Sequence, residues 1–227
     1  MKRLAEVVGR FGAPESAIAS LAGILKLQAL DPAASTTVRD PEEALDRHVA
    51  DSLVALELPV VAEAHRIADL GSGAGWPGLA LAAALPEAQV ALVESAIRHC
   101  RYLSRAAEGL ANVSVVHARA EEWAEGLGAH DLVTARALAA LPVVLEYAAP
   151  LLADGGHVVA WKGAVSGCES ASGARAAEIL GLEPVAVVPV QPFPDARDRT
   201  LHVFRKAAPT PSRFPRRAGM AMKRPLG

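Results

Sequence analysis

The residues best placed to do chemistry are clustered in Ile67-Ala68-Asp69-Leu70-Gly71-Ser72-Gly73-Ala74-Gly75-Trp76-Pro77-Gly78. A short apolar run enters a glycine-dense turn, and an Ala/Leu-rich helical stretch leaves it with Pro77 close to its first turn. Glycines at 71, 73 and 75 let the backbone turn sharply and approach a ligand with no side chain in the way. Two cofactor classes use such a loop, dinucleotides and S-adenosylmethionine. The dinucleotide fingerprint requires a third glycine five positions after the first, beside a pyrophosphate at the helix N-terminus. That position is Trp76, too bulky for the close approach, and Asp69 would repel a pyrophosphate. A carboxylate there, with Ser72 in the turn, suits a ligand carrying an ammonium and a sulfonium. The residues therefore favour S-adenosylmethionine over a nicotinamide dinucleotide, which makes a dehydrogenase a distant alternative.

The next apolar run, Val90-Ala91-Leu92-Val93, ends at Glu94, twenty-three residues after Gly71. A carboxylate at such a strand end can accept both hydroxyls of a ribose. The plain alternative is an ordinary βα loop followed by a solvated acid, and the ordered sequence of strand, loop, helix and acidic strand end argues against it.

These residues need a scaffold, and the flanking pattern supplies one. From residue 65 short apolar runs alternate with Ala-rich helical stretches: RIADL then PGLALAAAL, QVALVE then AIRHCRYLSRAAEGL, NVSVVHA then RAEEWAEGL, followed by HDLVTARA, a helix near 140–150, GGHVVAWKG, a helix near 170–181, EPVAVVPV and TLHVFRK. Strands alternating with helices predict an α/β fold with a doubly wound, mostly parallel sheet. The last two strands have no helical segment between them and are expected to pair as an antiparallel hairpin at one edge. Residues 1–60 read as a helical extension: Ile18, Leu21, Ala22, Leu25 and Ala29 recur at helical spacing, and Asp31-Pro32 closes that segment. Asp40-Pro41-Glu42-Glu43 opens another helix, whose inner face would carry Leu45, Val49, Leu53 and Leu56. The expected divisions are 1–60, a catalytic domain at 61–206 and a basic tail at 207–227, which is expected not to pack unaided.

Further candidates carry charge. Arg136 and Lys162 end two strands at the sheet edge where open α/β folds bind ligands, and two converging cations point to a phosphate-bearing substrate. Either could instead be an ordinary ion-pair partner. His48, Asp51 and Ser52 lie on one helix, too close together to relay a proton to a substrate, and no Gly-x-Ser-x-Gly elbow is present. Structural hydrogen bonding and pocket lining are both open to them. Arg119-Ala120-Glu121 is expected to begin a helix, where Glu121 could merely complement the helix dipole.

Composition excludes several classes. The chain of 227 residues is 52% hydrophobic, 21% charged and 4% aromatic, which is neither disordered nor fibrous. Cys100 and Cys168 lie far apart and no Cys/His group has zinc spacing, so a disulfide framework and a metal site are not expected. No apolar run approaches a membrane span and the N-terminus lacks a leader pattern, so a cytoplasmic protein is expected. No apolar patch calls for a second copy, and a monomer is expected. The net charge of −2 is a misleading average. From Arg205 onward there are seven cations and no acid: Arg205, Lys206, Arg213, Arg216, Arg217, Lys223 and Arg224. Removing those seven from the 23 basic residues leaves 16 against 25 acids, a body of −9 carrying a +7 tail. Such a tail can be a solubilising block; beside a cationic rim it is expected to grip phosphates.

In its motifs the chain resembles the ribosomal RNA small-subunit methyltransferase G family, also called glucose-inhibited division protein B. The matching segments include TTVRDPEEALDRHVADSL (36–53), ADLGSGAGWPGLALA (68–82), LVESAIRHCRYL (92–103), ARAEEW (118–123), VTARALAAL (133–141), LLADGGHVVAWKG (151–163), RTLHVFRK (199–206) and PRRAGMAMKRPL (215–226). The resemblance implies a Rossmann-like S-adenosylmethionine-dependent methyltransferase that modifies N7 of one guanine in 16S rRNA of the small ribosomal subunit. It implies Gly71, Gly73 and Trp76 in the cofactor loop, Glu94 at the ribose, Ala120 and Glu121 at the adenine, and Arg136 beside the cofactor. His48, Asp51, Arg119, Lys162 and Arg199 fall at further motif positions as candidates for RNA binding or pocket shaping. The chain departs from the family pattern at Trp76, where Phe or Leu is more usual, and at Arg98, where Lys is common. Rival readings are a methyltransferase acting on a small molecule or protein, and a non-enzymatic RNA-binding module.

Overall fold

The computed structural model describes residues 1–227. Seven strands form one sheet: β1 (Arg66–Leu70), β2 (Gln89–Glu94), β3 (Val113–His117), β4 (His130–Arg136), β5 (Leu152–Lys162), β6 (Leu182–Pro189) and β7 (Thr200–Lys206). Their order is β3-β2-β1-β4-β5-β7-β6. All neighbours pair in parallel except β7, which runs antiparallel to both β5 and β6. The hairpin expected from the last two strands is therefore present, with β7 inserted between β5 and β6 rather than lying outermost.

The continuous apolar runs of β1, β2 and β4 follow from burial on both faces. Ile67, Leu132, Val159, Leu201 and Val203 face one core, and Ala68, Val133, Val158 and Phe204 face the other. The first core takes the helices Gly78–Ala84 and Ile97–Ala106 together with the N-terminal helices Lys2–Arg10 and Ser16–Leu30. Residues 1–60 thus share one core with the sheet. The second core takes Leu141–Ala148 and Gly167–Leu180. No helix is long and apolar enough to cross a membrane.

Asp40 caps the next helical stretch as its position suggests, its side chain accepting the N–H of Glu43 at 2.8 Å. The stretch is not regular: an α turn, Pro41–Ala44, passes into a π-helical turn, Leu45–Ala50, and ends in a 3₁₀ turn, Val54–Glu57. Between the helix Ser16–Leu30 and this stretch, residues 31–40 are gathered by Arg39. Its guanidinium donates to the carbonyls of Gln28 at 2.7 Å, Asp31 at 2.6 Å and Ala34 at 3.0 Å.

One sequence expectation is corrected. RAEEWAEGL forms two 3₁₀ turns, Ala120–Glu122 and Ala124–Gly126, in place of a helix. The Trp123 ring packs directly over Gly126 and against His130, holding the chain in tight turns. The basic tail, expected not to pack unaided, docks on the body: Phe214 and Ala221 are buried in the second core, and Met220–Lys223 forms a helical turn. Of the seven cations from Arg205 onward, two on β7 and one in the tail serve the fold. Arg205 pairs with Glu183, Arg216 with Glu146, and the buried Lys206 ammonium donates to the carbonyls of Ala149 and Leu152.

Arg39→Ala should lower the unfolding free energy by about 2 kcal/mol in urea titration, since charge-assisted hydrogen bonds contribute roughly 1.5–3 kcal/mol. Arg39→Lys should restore little, because one ammonium cannot span three carbonyls as the planar fork does.

Candidate active site

Two adjoining cavities open at the C-terminal edge of the sheet, where the strand order reverses between β1 and β4. The larger, about 680 Å³, is walled by the glycine loop (Gly71, Ser72, Gly73, Trp76) and by residues 34–39. The smaller, about 350 Å³, lies over the ends of β4, β5 and β7. Val38, His48, Arg136 and Ala137 belong to both, so these residues form the junction.

The loop owes its shape to backbone that only glycine adopts readily: φ is +65° at Gly71 and +53° at Gly73. Beneath it Asp69 is almost wholly buried; one carboxylate oxygen accepts the Thr134 hydroxyl at 2.9 Å and the other has no partner. Burial pushes the Asp69 carboxyl up to about 6. Ser72 donates to the Asp69 carbonyl at 2.8 Å, so its hydroxyl also holds the turn. Glu94 stands at the end of β2, with its two oxygens accepting the N–H groups of Gly73 at 3.0 Å and Ala96 at 2.8 Å. Each carboxylate oxygen has a second lone pair, so these bonds leave acceptor capacity for a diol. The orphaned Asp69 oxygen, the acceptor-rich Glu94 and a cleft within the 300–1,000 Å³ range of small-molecule sites fit a cationic nucleoside ligand.

Trp76 couples the loop to the N-terminal helices. Its indole N–H donates to the Gln28 side chain at 2.7 Å, and its ring stacks on His48 with centroids 5.6 Å apart and planes 10° from parallel. Arg136 donates to the Arg47 carbonyl and to Asp51, both at 2.8 Å, and a second guanidinium nitrogen lies 3.0 Å from His48 Nδ1. His48 Nδ1 also lies 3.1 Å from the Arg47 carbonyl, and Nε2 lies 3.0 Å from the Thr36 hydroxyl oxygen, so both ring nitrogens are engaged. Burial, reinforced by the Arg136 charge, lowers the His48 pKa from 6.5 to about 3.

Asp51 is the hub of the smaller cavity. One oxygen receives Arg136, the other lies 3.5 Å from Arg199, and its carbonyl accepts the Trp161 indole at 2.7 Å. Lys162 ends β5 on the same rim but is tied to Glu169 at 2.6 Å and to the Ala139 carbonyl at 3.2 Å. Arg136 and Lys162 both line this cavity, and each is paired with a carboxylate, the ion-pair alternative open to them in the sequence. Ser52 plays the structural part, bonding back to the His48 carbonyl. Ala120, Glu121 and Arg119 line neither cavity. They lie past the end of β3, where Arg119 is exposed and Glu121 accepts the N–H of Gly219 at 2.9 Å.

Sequence reasoning passed over Thr36, Gln28, Trp161 and Glu169. Trp161, on the apolar run of β5, carried the best signal, since a buried indole must find an acceptor.

A family profile described as rRNA small subunit methyltransferase G (GidB) matches residues 32–197. A Ribosomal RNA small subunit methyltransferase G of Rubrobacter xylanophilus is 43% identical over 196 residues, covering 83% of this chain and 75% of that protein. The protein of the same name from Chloroflexus aggregans is 41% identical, covering 84% and 82%. The chain belongs to this family. Solved structures agree on the fold: Aeropyrum pernix fibrillarin, with natively bound S-adenosyl-L-methionine, superposes with a TM-score of 0.55 at 22% identity over 68% of this chain and 72% of that one. Methanococcus jannaschii fibrillarin gives 0.56 at 19% identity, covering 70% and 74%. The family match takes in the 34–39 wall, the glycine loop, Arg136 and Lys162, and ends before Arg199 and Thr200 of the smaller cavity.

His48 provides a test of this geometry. The unfolded chain binds a proton at 6.5 and the folded one only near 3, so stability is lost as pH falls below 6.5. Asp69 acts oppositely between about 6 and 3.8, where the folded state holds the extra proton. Comparing wild type with His48→Asn isolates the histidine. Between pH 7 and pH 5 the wild type should lose about 2 kcal/mol more than the variant in urea melts, from 1.36 kcal/mol per pKa unit. Parallel pH profiles would show that His48 is not held neutral.

Proposed function

We propose that this protein is an S-adenosylmethionine-dependent methyltransferase that methylates N7 of a guanine in 16S rRNA of the small ribosomal subunit. The observation that carries the reading is the junction of two cavities at one sheet edge: a glycine-walled cleft, whose loop rests on Asp69 and is anchored by Glu94, opening onto a cavity rimmed by Arg136, Lys162 and Arg199. Family membership supports the rRNA substrate, and the family resemblance implies the N7 position.

When bound, S-adenosylmethionine supplies a methyl group on a positively charged sulfur. In this chain, Asp69 and the turn from Gly71 to Gly73 would hold its amino-acid end, and Glu94 its ribose. Guanine N7 presents an in-plane lone pair, so no proton must leave before it attacks. His48 fits this requirement: kept neutral and committed to Arg136 and Thr36, it places no further positive charge at the junction. The chain's work is to align the reacting atoms and exclude water. Trp161, Val38, Leu138 and Val190 give the smaller cavity apolar walls against which a base can lie. Arg136, fixed by Asp51, can direct a donor to guanine O6, the acceptor next to N7. Arg199, 40% exposed, is the rim cation best placed for phosphate.

Glu94→Ala should abolish cofactor binding in calorimetry, losing the diol acceptor as well as the anchor of Gly73. Near-wild-type affinity would remove Glu94 from the site. The activity itself is tested with radiolabelled S-adenosylmethionine and small subunits from a strain lacking the enzyme. Label at a guanine N7 of 16S rRNA is the expected result. Turnover without RNA would favour a small-molecule or protein methyltransferase, and cofactor binding without transfer would favour a binding module.

A further inference from the structure

The sheet order fixes a direction along the binding edge. The glycine loop follows β1, Glu94 ends β2, and residues 118–121 follow β3, with Glu94 opposite His117 in register. A nucleoside anchored at the loop and at Glu94 therefore extends its base toward residues 118–121. That placement rests on the cofactor reading above.

At this end the carboxylate of Glu121 is held from outside the sheet. One oxygen accepts the N–H of Gly219, 98 residues along the chain, at 2.9 Å. Gly219 is held in turn by a docked tail. Phe214 and Ala221 are buried on either side of it. Arg216 grips both oxygens of Glu146 through Nε and a terminal nitrogen, and that same nitrogen donates to the Arg224 carbonyl at 2.9 Å. Glu146 sits on the helix Leu141–Ala148 with its side chain 2% exposed, and Arg216 is its ion-pair partner. A buried carboxylate stripped of its counter-charge is strongly disfavoured, so the ion pair acts as a latch that keeps the tail down.

We propose that residues 213–224 form a strap that completes the base end of the cofactor site, with the Arg216–Glu146 pair as its latch and the Gly219 N–H as the group that orients Glu121. Arg216 and Glu146 are positioning residues; Glu121 is the one that faces the ligand, with its second oxygen free to accept from an amino-bearing base. The tail that reads in the sequence as a phosphate-gripping arm is on this account a part of the cofactor pocket. Coupling between two sites is reciprocal, so cofactor must hold the strap as firmly as the strap holds cofactor.

The test uses the full-length protein. Saturating S-adenosylmethionine should slow amide exchange across residues 214–223 by about tenfold, a typical coupling factor, while the exposed β6 edge at Val185–Val187 exchanges at its original rate. Unchanged exchange in the tail, or equal slowing at the β6 edge, overturns the strap. Arg216→Ala should weaken cofactor affinity about tenfold in calorimetry and raise KM for cofactor, with kcat at saturating cofactor close to wild type. An affinity within twofold of wild type overturns the proposal, as does unchanged cofactor affinity with weakened small-subunit binding, which would make the tail an RNA arm. If Arg216→Ala does not fold, the exchange experiment on the wild type still decides. Wild-type protein that binds no S-adenosylmethionine would overturn the cofactor reading and the strap together, whereas binding with a silent tail overturns the strap alone.

Discussion

The site depends on the pairing of one buried carboxylate. Asp51 is 4% exposed and sits on an irregular helical stretch, yet it satisfies groups from three other elements: Arg136 from β4, Trp161 from β5 and Arg199 from the entry to β7. A carboxylate this far from water is tolerable only when paired and hydrogen-bonded. That requirement fixes the helical extension over the ends of three strands and thereby closes the smaller cavity. The π-helical turn Leu45–Ala50, immediately before Asp51, belongs to the same constraint. Such turns are rare, occur often at functional sites, and change which side chains a helix presents to its neighbour. Here His48 and Asp51 both face Arg136, one through a ring nitrogen and the other through a carboxylate oxygen.

The same network sets the electrostatics. Arg136 faces Asp51, Lys162 faces Glu169, and His48 is unprotonated, so the floor between the cavities carries little net charge although it is rich in ionisable groups. A site built to grip phosphate alone would leave its cations unpaired. One built to hold a sulfonium against a neutral base benefits from rigid cations whose charge is already balanced nearby, because they donate hydrogen bonds without making the cofactor's own charge costlier to bind. Among the rim cations, Arg199 is the partly exposed one, 40% exposed and 3.5 Å from Asp51.

Features governed by neighbouring residues were legible in the sequence. The glycine turn, the Asp40 cap, the alternation of strands and helices and the acidic end of β2 each rest on contacts spanning a few residues or on a local backbone requirement. The direction of β7 was also legible, because the segment before it lacks the helix a parallel return would need. Partnerships were not legible. Asp51 and Arg136 are 85 residues apart, and Glu146 and Arg216 are 70 apart; nothing local marks a cation as taken. Charge counting therefore assigned all seven cations from Arg205 onward to a ligand, when Arg205, Lys206 and Arg216 belong to the fold. The helix expected after β3 failed for a related reason: Ala and Glu favour a helix there, but the packing of Trp123 on Gly126 and His130 decides the turn.

Two buried ionisable groups flank the junction, and burial shifts both toward their neutral forms: Asp69 upward to about 6, His48 downward to about 3. Neither shift stabilises the fold at neutral pH as an exposed, freely charged group could. One Asp69 oxygen and the Tyr102 hydroxyl are the buried side-chain polar atoms left without a partner. Perturbed groups of this kind gather at functional sites because binding, not folding, completes their partnerships. Asp69 lies directly beneath a loop held at positive φ at Gly71, Gly73 and Gly75, so the glycine turn and the buried acid form a single cradle. On this physical ground a cationic nucleoside suits this cleft, and a pyrophosphate does not.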